Sequence, residues 1–147
     1  MMKRSAGILP YKYIDNELYV YLEHPGGPFW KDKDKWSIVK GEYSNEKAEK
    51  AAKREFKEES GFDIEGSLEY MGTFKLKHKL LVMFIVEEDL DVTKMKSNTF
   101  KRMFNNAICE FPEMDEERWF RIDDAYNYIF DRQRKVLDRI QLLKGVK

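Results

Sequence analysis

Arg54-Glu55-Phe56-Lys57-Glu58-Glu59-Ser60-Gly61-Phe62 is a run in which three glutamates recur at helical spacing and a glycine follows. The stretch Glu46 to Ser60 carries the marks of an α-helix: Ser44 or Asn45 as cap, Glu46 and Glu49 in the first turn, Gly61 as the stop. At about 100° per residue, Glu55, Glu58 and Glu59 fall within roughly one third of the helix circumference. Carboxylates so placed repel one another, and like charges at i, i+4 weaken a helix. A hard divalent cation compensates, since magnesium takes about six oxygen ligands from carboxylates, waters and substrate phosphates. Ala48, Ala51 and Ala52 share that side, so the helix is expected to lie close to a sheet. Arg54, one turn before Glu58, is expected to pair with it. The plainer reading is a solvated helix laced with i, i+4 charge pairs.

Outward from this helix, the first half of the chain reads as strands. Ala6 to Ile14 and Leu18 to Glu23 flank the turn signal Asp15-Asn16 and predict a hairpin. His24-Pro25-Gly26-Gly27-Pro28 is a loop by composition, and Lys31 to Lys35 a solvated loop. Trp36 to Val39 is a short strand ending at Gly41. Beyond the helix, Glu69 to Lys75 and Leu80 to Glu87 read as strands, the second apolar enough to be central. Thr99 to Cys109 is ambiguous, and Arg118 to Arg121 is a short strand. Asp123 to Phe130 and Gln133 to Leu143 predict closing helices, with Val136, Leu137, Ile140 and Leu143 on the buried stripe. The economical architecture is a mixed sheet with helices against it, an α/β fold.

Composition narrows the function. The 147 residues suffice for one domain, and 42% hydrophobic with 14% aromatic content excludes a disordered chain. Lys+Arg and Asp+Glu number 27 each, so the net charge is zero and any polyanion site must be local. The longest apolar run, Leu80 to Val86, is seven residues, whereas a membrane-spanning helix needs roughly 20. The lone cysteine, Cys109, makes no internal disulfide; a buried inert thiol in a reducing, cytoplasmic setting is expected.

At the glutamate helix the sequence resembles the Nudix hydrolase family, whose motif is G-x5-E-x7-R-E-U-x-E-E-x-G-U with U a bulky apolar residue. From Glu46 onward all eight specified positions match. Gly41 precedes Glu46 by four intervening residues, so the entry loop is one residue short. Trp36-Ser37-Ile38-Val39-Lys40-Gly41 resembles the strand entering the motif, and Glu113-x5-Trp119-Phe120 the downstream acidic loop and strand. His24 to Trp30 and Ser97 to Phe100 are similar to a subgroup of small bacterial members. The resemblance implies one Nudix domain over residues 1–147, built as an α/β/α sandwich around a mixed sheet.

It further implies a magnesium-dependent hydrolase, with Mn2+ as possible substitute, that cleaves a phosphoanhydride in a nucleoside diphosphate-linked compound. On that reading Glu55 and Glu59 are direct metal ligands, and Glu58 is a ligand or the base acting on water. The Gly41 carbonyl and Glu113 complete the metal set, with Glu116 and Glu117 as the alternative acids. Arg54 and Glu46 orient the others. Lys40 and Trp36 are substrate-binding candidates; the Lys40-Gly41 pair with Trp36 is similar to dinucleoside enzymes. The bland alternative for Lys40 is a solvated loop lysine. Lys75, Lys77, His78 and Lys79 form a basic stretch that either meets a polyphosphate or tips a charged hairpin. Phe29, Trp30, Tyr43 and Phe104 offer stacking faces if they are not core. The expected partner is a nucleotide or dinucleotide, not nucleic acid, for want of an extended basic face. A non-catalytic nucleotide sensor on the same fold is the competing class, and it would be expected to lose a ligand glutamate.

Overall fold

Strand β1 (Lys3–Ile14) organises the molecule by pairing on both edges. The computed structural model of the chain describes residues 2–145. One edge of β1 runs parallel to β5 (Lys79–Glu87) from Lys3 to Tyr11. The other edge pairs antiparallel first with β3 (Val39–Tyr43) and then with β2 (Glu17–Pro25). Strands β4 (Glu69–Leu76) and β8 (Met114–Arg121) close the two sides, in the order β4-β5-β1-β2-β8. The β1–β2 turn holds Asp15 and Asn16 at φ 52 and 67, the left-handed pair that matches hairpin twist. The sheet is mixed, as expected.

Helix α1 (Ala48–Ser60) covers one face, and α2 (Ile122–Tyr128) with α3 (Arg134–Lys144) covers the other. Alternation along β1 explains the two cores. Ala6 and Ile8 face Ala51, Ala52 and Phe56 of α1, while Leu9 and Tyr11 face Val136, Leu137 and Ile140 of α3. The result is the α/β/α sandwich, and Ala51 and Ala52 are fully buried against the sheet. None of the helices among the described residues is long and apolar enough to cross a membrane.

Three local expectations are corrected and one ambiguous segment is resolved. Helix α1 starts at Ala48 with Lys47 at its cap, so Ser44 and Asn45 do not cap it and Glu46 precedes its first turn. Strand β3 spans Val39–Tyr43, with Trp36 and Ser37 held only by isolated bridges to Ile129 and Glu23. Gly41 therefore lies inside a strand, opposite Ala6. The ambiguous segment is a separate hairpin, β6 (Thr99–Phe104) with β7 (Ala107–Pro112), turned by Asn105 and Asn106 at φ 51 and 65. Cys109, on β7, is half-exposed rather than buried.

Candidate active site

The chemistry of α1 follows from which face it buries. Phe56 is fully enclosed, and burying such a side chain is worth about 2–3 kcal/mol. Anchoring Phe56 turns Glu55, Glu58 and Glu59 towards the edge where β3, β2 and the segment before β8 meet. Gly61 ends the helix at φ 84, its N–H donating to the Lys57 carbonyl. Ser60 Oγ donates to the Phe56 carbonyl and accepts from the Phe62 N–H, which stiffens this end.

Arg54 gathers three acids. Its Nε donates to Glu46 at 2.9 Å, and its Nη1 to Glu55 at 2.9 Å and Glu58 at 3.3 Å. The expected Arg54–Glu58 pair is present within this larger network. Burial, with Glu58 alongside, raises the Glu55 pKa despite the Arg54 hydrogen bond. Glu55 lies directly on β3: a Cβ built on Gly41 would meet its carboxyl carbon at 2.0 Å. Only glycine leaves that carboxyl its place.

Glu59 is 5% exposed and carries an oxygen with no partner. It interacts with Glu23 on β2, itself 1% exposed and likewise with one oxygen unpartnered. Burial, reinforced by Glu55 and Glu113, pushes Glu59 up to about 7. Burial and Glu59 push Glu23 well above the usual carboxylate range. Glu23 was not singled out from sequence; the available signal was an acid directly extending the apolar run Leu18 to Leu22.

Glu113 faces the same helix. Burial, then Glu55 and Glu58, raise its pKa. Its backbone is pinned on two sides: its N–H donates to the Asn98 carbonyl and its carbonyl accepts from Gly26, both at 2.8 Å. Asn98 N–H in turn donates to the Glu58 carbonyl at 2.8 Å. The β6–β7 hairpin thus returns the chain to α1 before Glu113. Of the alternative acids, Glu116 pairs outward with Arg118. Glu117 is buried, has both oxygens unpartnered, and is pushed up to about 8 by burial alone.

Trp36 is buried rather than an open stacking face. It is 1% exposed, packed edge-on against His24 and Phe120 with the Arg118 guanidinium over its ring, so its faces are taken up by protein neighbours. Lys40 is not a loop lysine; it stands on β3, half-buried. Burial and Lys79 lower its pKa, while Glu59, Glu23 and Glu42 hold it up. Lys40 also lines a cavity of about 610 Å3 together with Lys3, Lys77, Lys79, Arg132 and Trp30. Lys77, His78 and Lys79 of the basic stretch at the β4–β5 turn line that cavity, and Lys75 does not. Trp30 packs edge-on to Phe130 at 5.3 Å on its wall. Phe29 is exposed beside Trp30, Tyr43 packs on the α1 side of the sheet, and Phe104 sits on the separate hairpin against Phe111. His24 bonds Asp115 through Nδ1 and the Lys33 carbonyl through Nε2.

Among the described residues, no three His, Cys, Asp or Glu side chains are already gathered as a metal cage. Arg54 holds Glu55 and Glu58 while Glu59 leans on Glu23. The family model for the NUDIX domain matches residues 13–140. The chain belongs to the Nudix hydrolase family. Nudix hydrolases generally use divalent cations. The Nudix fold is shared with a C. elegans Ap4A hydrolase in a binary complex, at 17% identity and TM-score 0.68, covering 96% of each chain. It is shared also with the NUDIX domain of Shewanella oneidensis NrtR complexed with ADP ribose, at 13% identity and TM-score 0.69, covering 97% of this chain and 88% of that one. E. coli ORF135 protein matches at 16% identity and TM-score 0.63 over 98% of this chain and 93% of its own. At these identities the likeness is one of fold. Among curated protein sequences none matches the chain.

Proposed function

We propose that this Nudix protein hydrolyses a phosphoanhydride in a nucleoside triphosphate or dinucleoside polyphosphate, with Mg2+ as the cation and Mn2+ as a substitute. The observation that carries the reading is the meeting, at Lys40, of a buried carboxylate cluster and a cationic cavity. Five lysine and arginine side chains line that cavity in a chain whose net charge is zero. A volume of about 610 Å3 is of the size that small-molecule sites have.

The donor set fits a hard divalent ion. Every candidate side-chain ligand is a carboxylate, and Glu59 has a buried oxygen with no other use. Gly41 leaves room for the Glu55 carboxyl against the strand. Glu55, Glu58, Glu59 and Glu113 would hold the ion, which neutralises phosphate oxygens and activates water when bound. Arg54 fixes Glu55 and Glu58, and Glu46 fixes Arg54, so the carboxylates are oriented before substrate arrives. Glu58 is the most exposed of the three helix glutamates and is suited to take a proton from water. Lys40, Lys77 and Lys79 neutralise the polyphosphate, and Trp30 gives the base an aromatic wall. Half-exposed Cys109 suits a reducing, cytoplasmic setting.

The test is a screen of nucleoside triphosphates, dinucleoside polyphosphates and nucleotide sugars with Mg2+, following phosphate or pyrophosphate release. Turnover in one of the first two classes supports the proposal. Binding without turnover of any diphosphate compound would make the chain a nucleotide sensor.

A further inference from the structure

Phe130 caps the 3₁₀ turn Asp131–Gln133, and Gln133 closes it. Residues three apart on such a turn share a side, and both line the cationic cavity beside Trp30. The turn is fixed in place. Phe130 N–H donates to the Trp36 carbonyl at 3.0 Å, and Gln133 N–H donates to the Phe130 carbonyl at 2.9 Å. The Gln133 side chain belongs to a buried ring of hydrogen bonds, the residue being 4% exposed. Its Oε1 accepts from Ile38 N–H at 2.9 Å, and its Nε2 donates to Ser37 Oγ at 3.1 Å. A backbone N–H only donates, so the Ile38 bond fixes which end of the amide is oxygen. Ser37 Oγ gives its own proton to the Ile38 carbonyl at 2.7 Å, which leaves it an acceptor for the amide. An amide nitrogen carries two hydrogens. One is engaged by Ser37, and the second has no protein acceptor among the described residues.

An amide held this way at a cavity wall discriminates, because a ligand that offers it no acceptor leaves it desolvated and unpaired. The rest of the wall has the same preference. Its charged side chains are donors apart from one carboxylate, Glu42, which is already paired with Lys79 at 3.0 Å. Trp30 and Phe130 supply the aromatic surface against which a base lies. We propose that Gln133 determines base specificity: its second amide N–H donates to a ring carbonyl of the nucleobase, so that guanine is bound in preference to adenine. Adenine carries an amino group where guanine carries that carbonyl. The inference rests on the reading that this cavity takes the base of a nucleotide. A glutamine kept only to close the ring with Ser37 and Ile38 would stabilise the fold without ranking the bases.

The experiment measures, by titration calorimetry, the binding of the 5′-monophosphates of guanosine, inosine and adenosine, which have no phosphoanhydride to cleave. Inosine shares the carbonyl of guanosine and lacks its amino group, so it isolates the contact. The unsubstituted chain is compared with Gln133→Glu, Gln133→Met and Ser37→Ala, each also melted. On the unsubstituted chain the guanosine and inosine compounds should bind at least roughly tenfold tighter than the adenosine one, the worth of about one hydrogen bond. Gln133→Glu keeps the acceptor for Ile38 and loses the donor, so the three affinities should close to within about threefold of one another. Gln133→Met gives the same readout should a buried carboxylate unfold the first variant. Ser37→Ala leaves the donor in place, and should melt lower with the ranking retained. Adenosine bound as tightly as guanosine, inosine ranking with adenosine, or an unchanged ranking in either Gln133 variant overturns the proposal. No binding of any of the three overturns it together with the reading of the cavity. A ranking that depends on Gln133, without turnover of any nucleoside triphosphate, leaves the inference standing and removes only the proposed hydrolysis.

Discussion

Replacing Glu59 by glutamine should make the metal-free protein more stable while abolishing hydrolysis. Burial is the main reason its pKa stands near 7 rather than at the ordinary 4.5, with Glu55 and Glu113 adding to it. Between those values the native state binds a proton that the unfolded chain releases, so stability falls as pH rises through the window. At about 1.4 kcal/mol per pH unit, the cost of the ionised carboxyl above pH 7 is on the order of 3 kcal/mol. Glutamine removes that cost, and its amide can donate to the Glu23 carboxyl. For a domain of this size the gain is roughly 6–12 °C in melting temperature. The assay is thermal unfolding in EDTA at pH 8 and at pH 5, followed by turnover with Mg2+ at pH 8. Near pH 5 the advantage should shrink to within a few degrees, because native Glu59 is then already protonated. With millimolar Mn2+ the unsubstituted chain should recover by mass action, and the variant should not. A variant no more stable than its parent in EDTA at pH 8, or equally advantaged at both pH values, would refute the reasoning. Turnover within a few-fold of the parent would refute the ligand role.

Gly41→Ala should cost at least tenfold in turnover, since its Cβ would lie 2.0 Å from the Glu55 carboxyl carbon and displace it; unchanged kinetics would mean that Glu55 need not rest on β3. Glu113→Gln should lose at least roughly tenfold in turnover across magnesium concentrations. Glu116→Gln should stay near the parent, its carboxylate being paired outward with Arg118; a loss at Glu116 without one at Glu113 would identify a different acid. His24 should make the protein less stable as pH rises. Burial disfavours the charged ring, but the Lys33 carbonyl and Asp115 outweigh it and the pKa is raised. That contribution is complete below the unfolded value of about 6.5 and is lost as pH rises through the folded one. Melting temperatures from pH 6 to 9 should therefore decline, and Asp115→Asn should flatten the slope; an unchanged slope would remove the imidazolium clasp.

What was legible from sequence was set by chain-local periodicity. The three glutamates, Arg54 and Gly61 follow from 3.6 residues per turn, and the structure places them together on α1. The Asp15-Asn16 hairpin follows from turn chemistry alone. Glu113 is implied by the family resemblance, and its position depends on Asn98 linking it to the end of α1. Trp36 shows the limit. Its residue type suits stacking on a base, but its burial is decided by Phe120 on β8 and His24 on β2, far away in sequence. Gly41 shows it again, because pairing with Ala6 of β1 carries β3 two residues past the point where the local pattern stops. The case of Glu23 goes furthest. Alternation gives its face, but the face becomes chemical only when α1 packs with Phe56 on Tyr21 and Glu59 arrives beside it. A helix can present its own carboxylates; it cannot announce the one that the sheet contributes. Charge offers the better guide at such positions. An acid that extends a buried apolar strand bears a desolvation cost that packing does not recover, so its neighbour in the fold, rather than in the sequence, holds the reason for it.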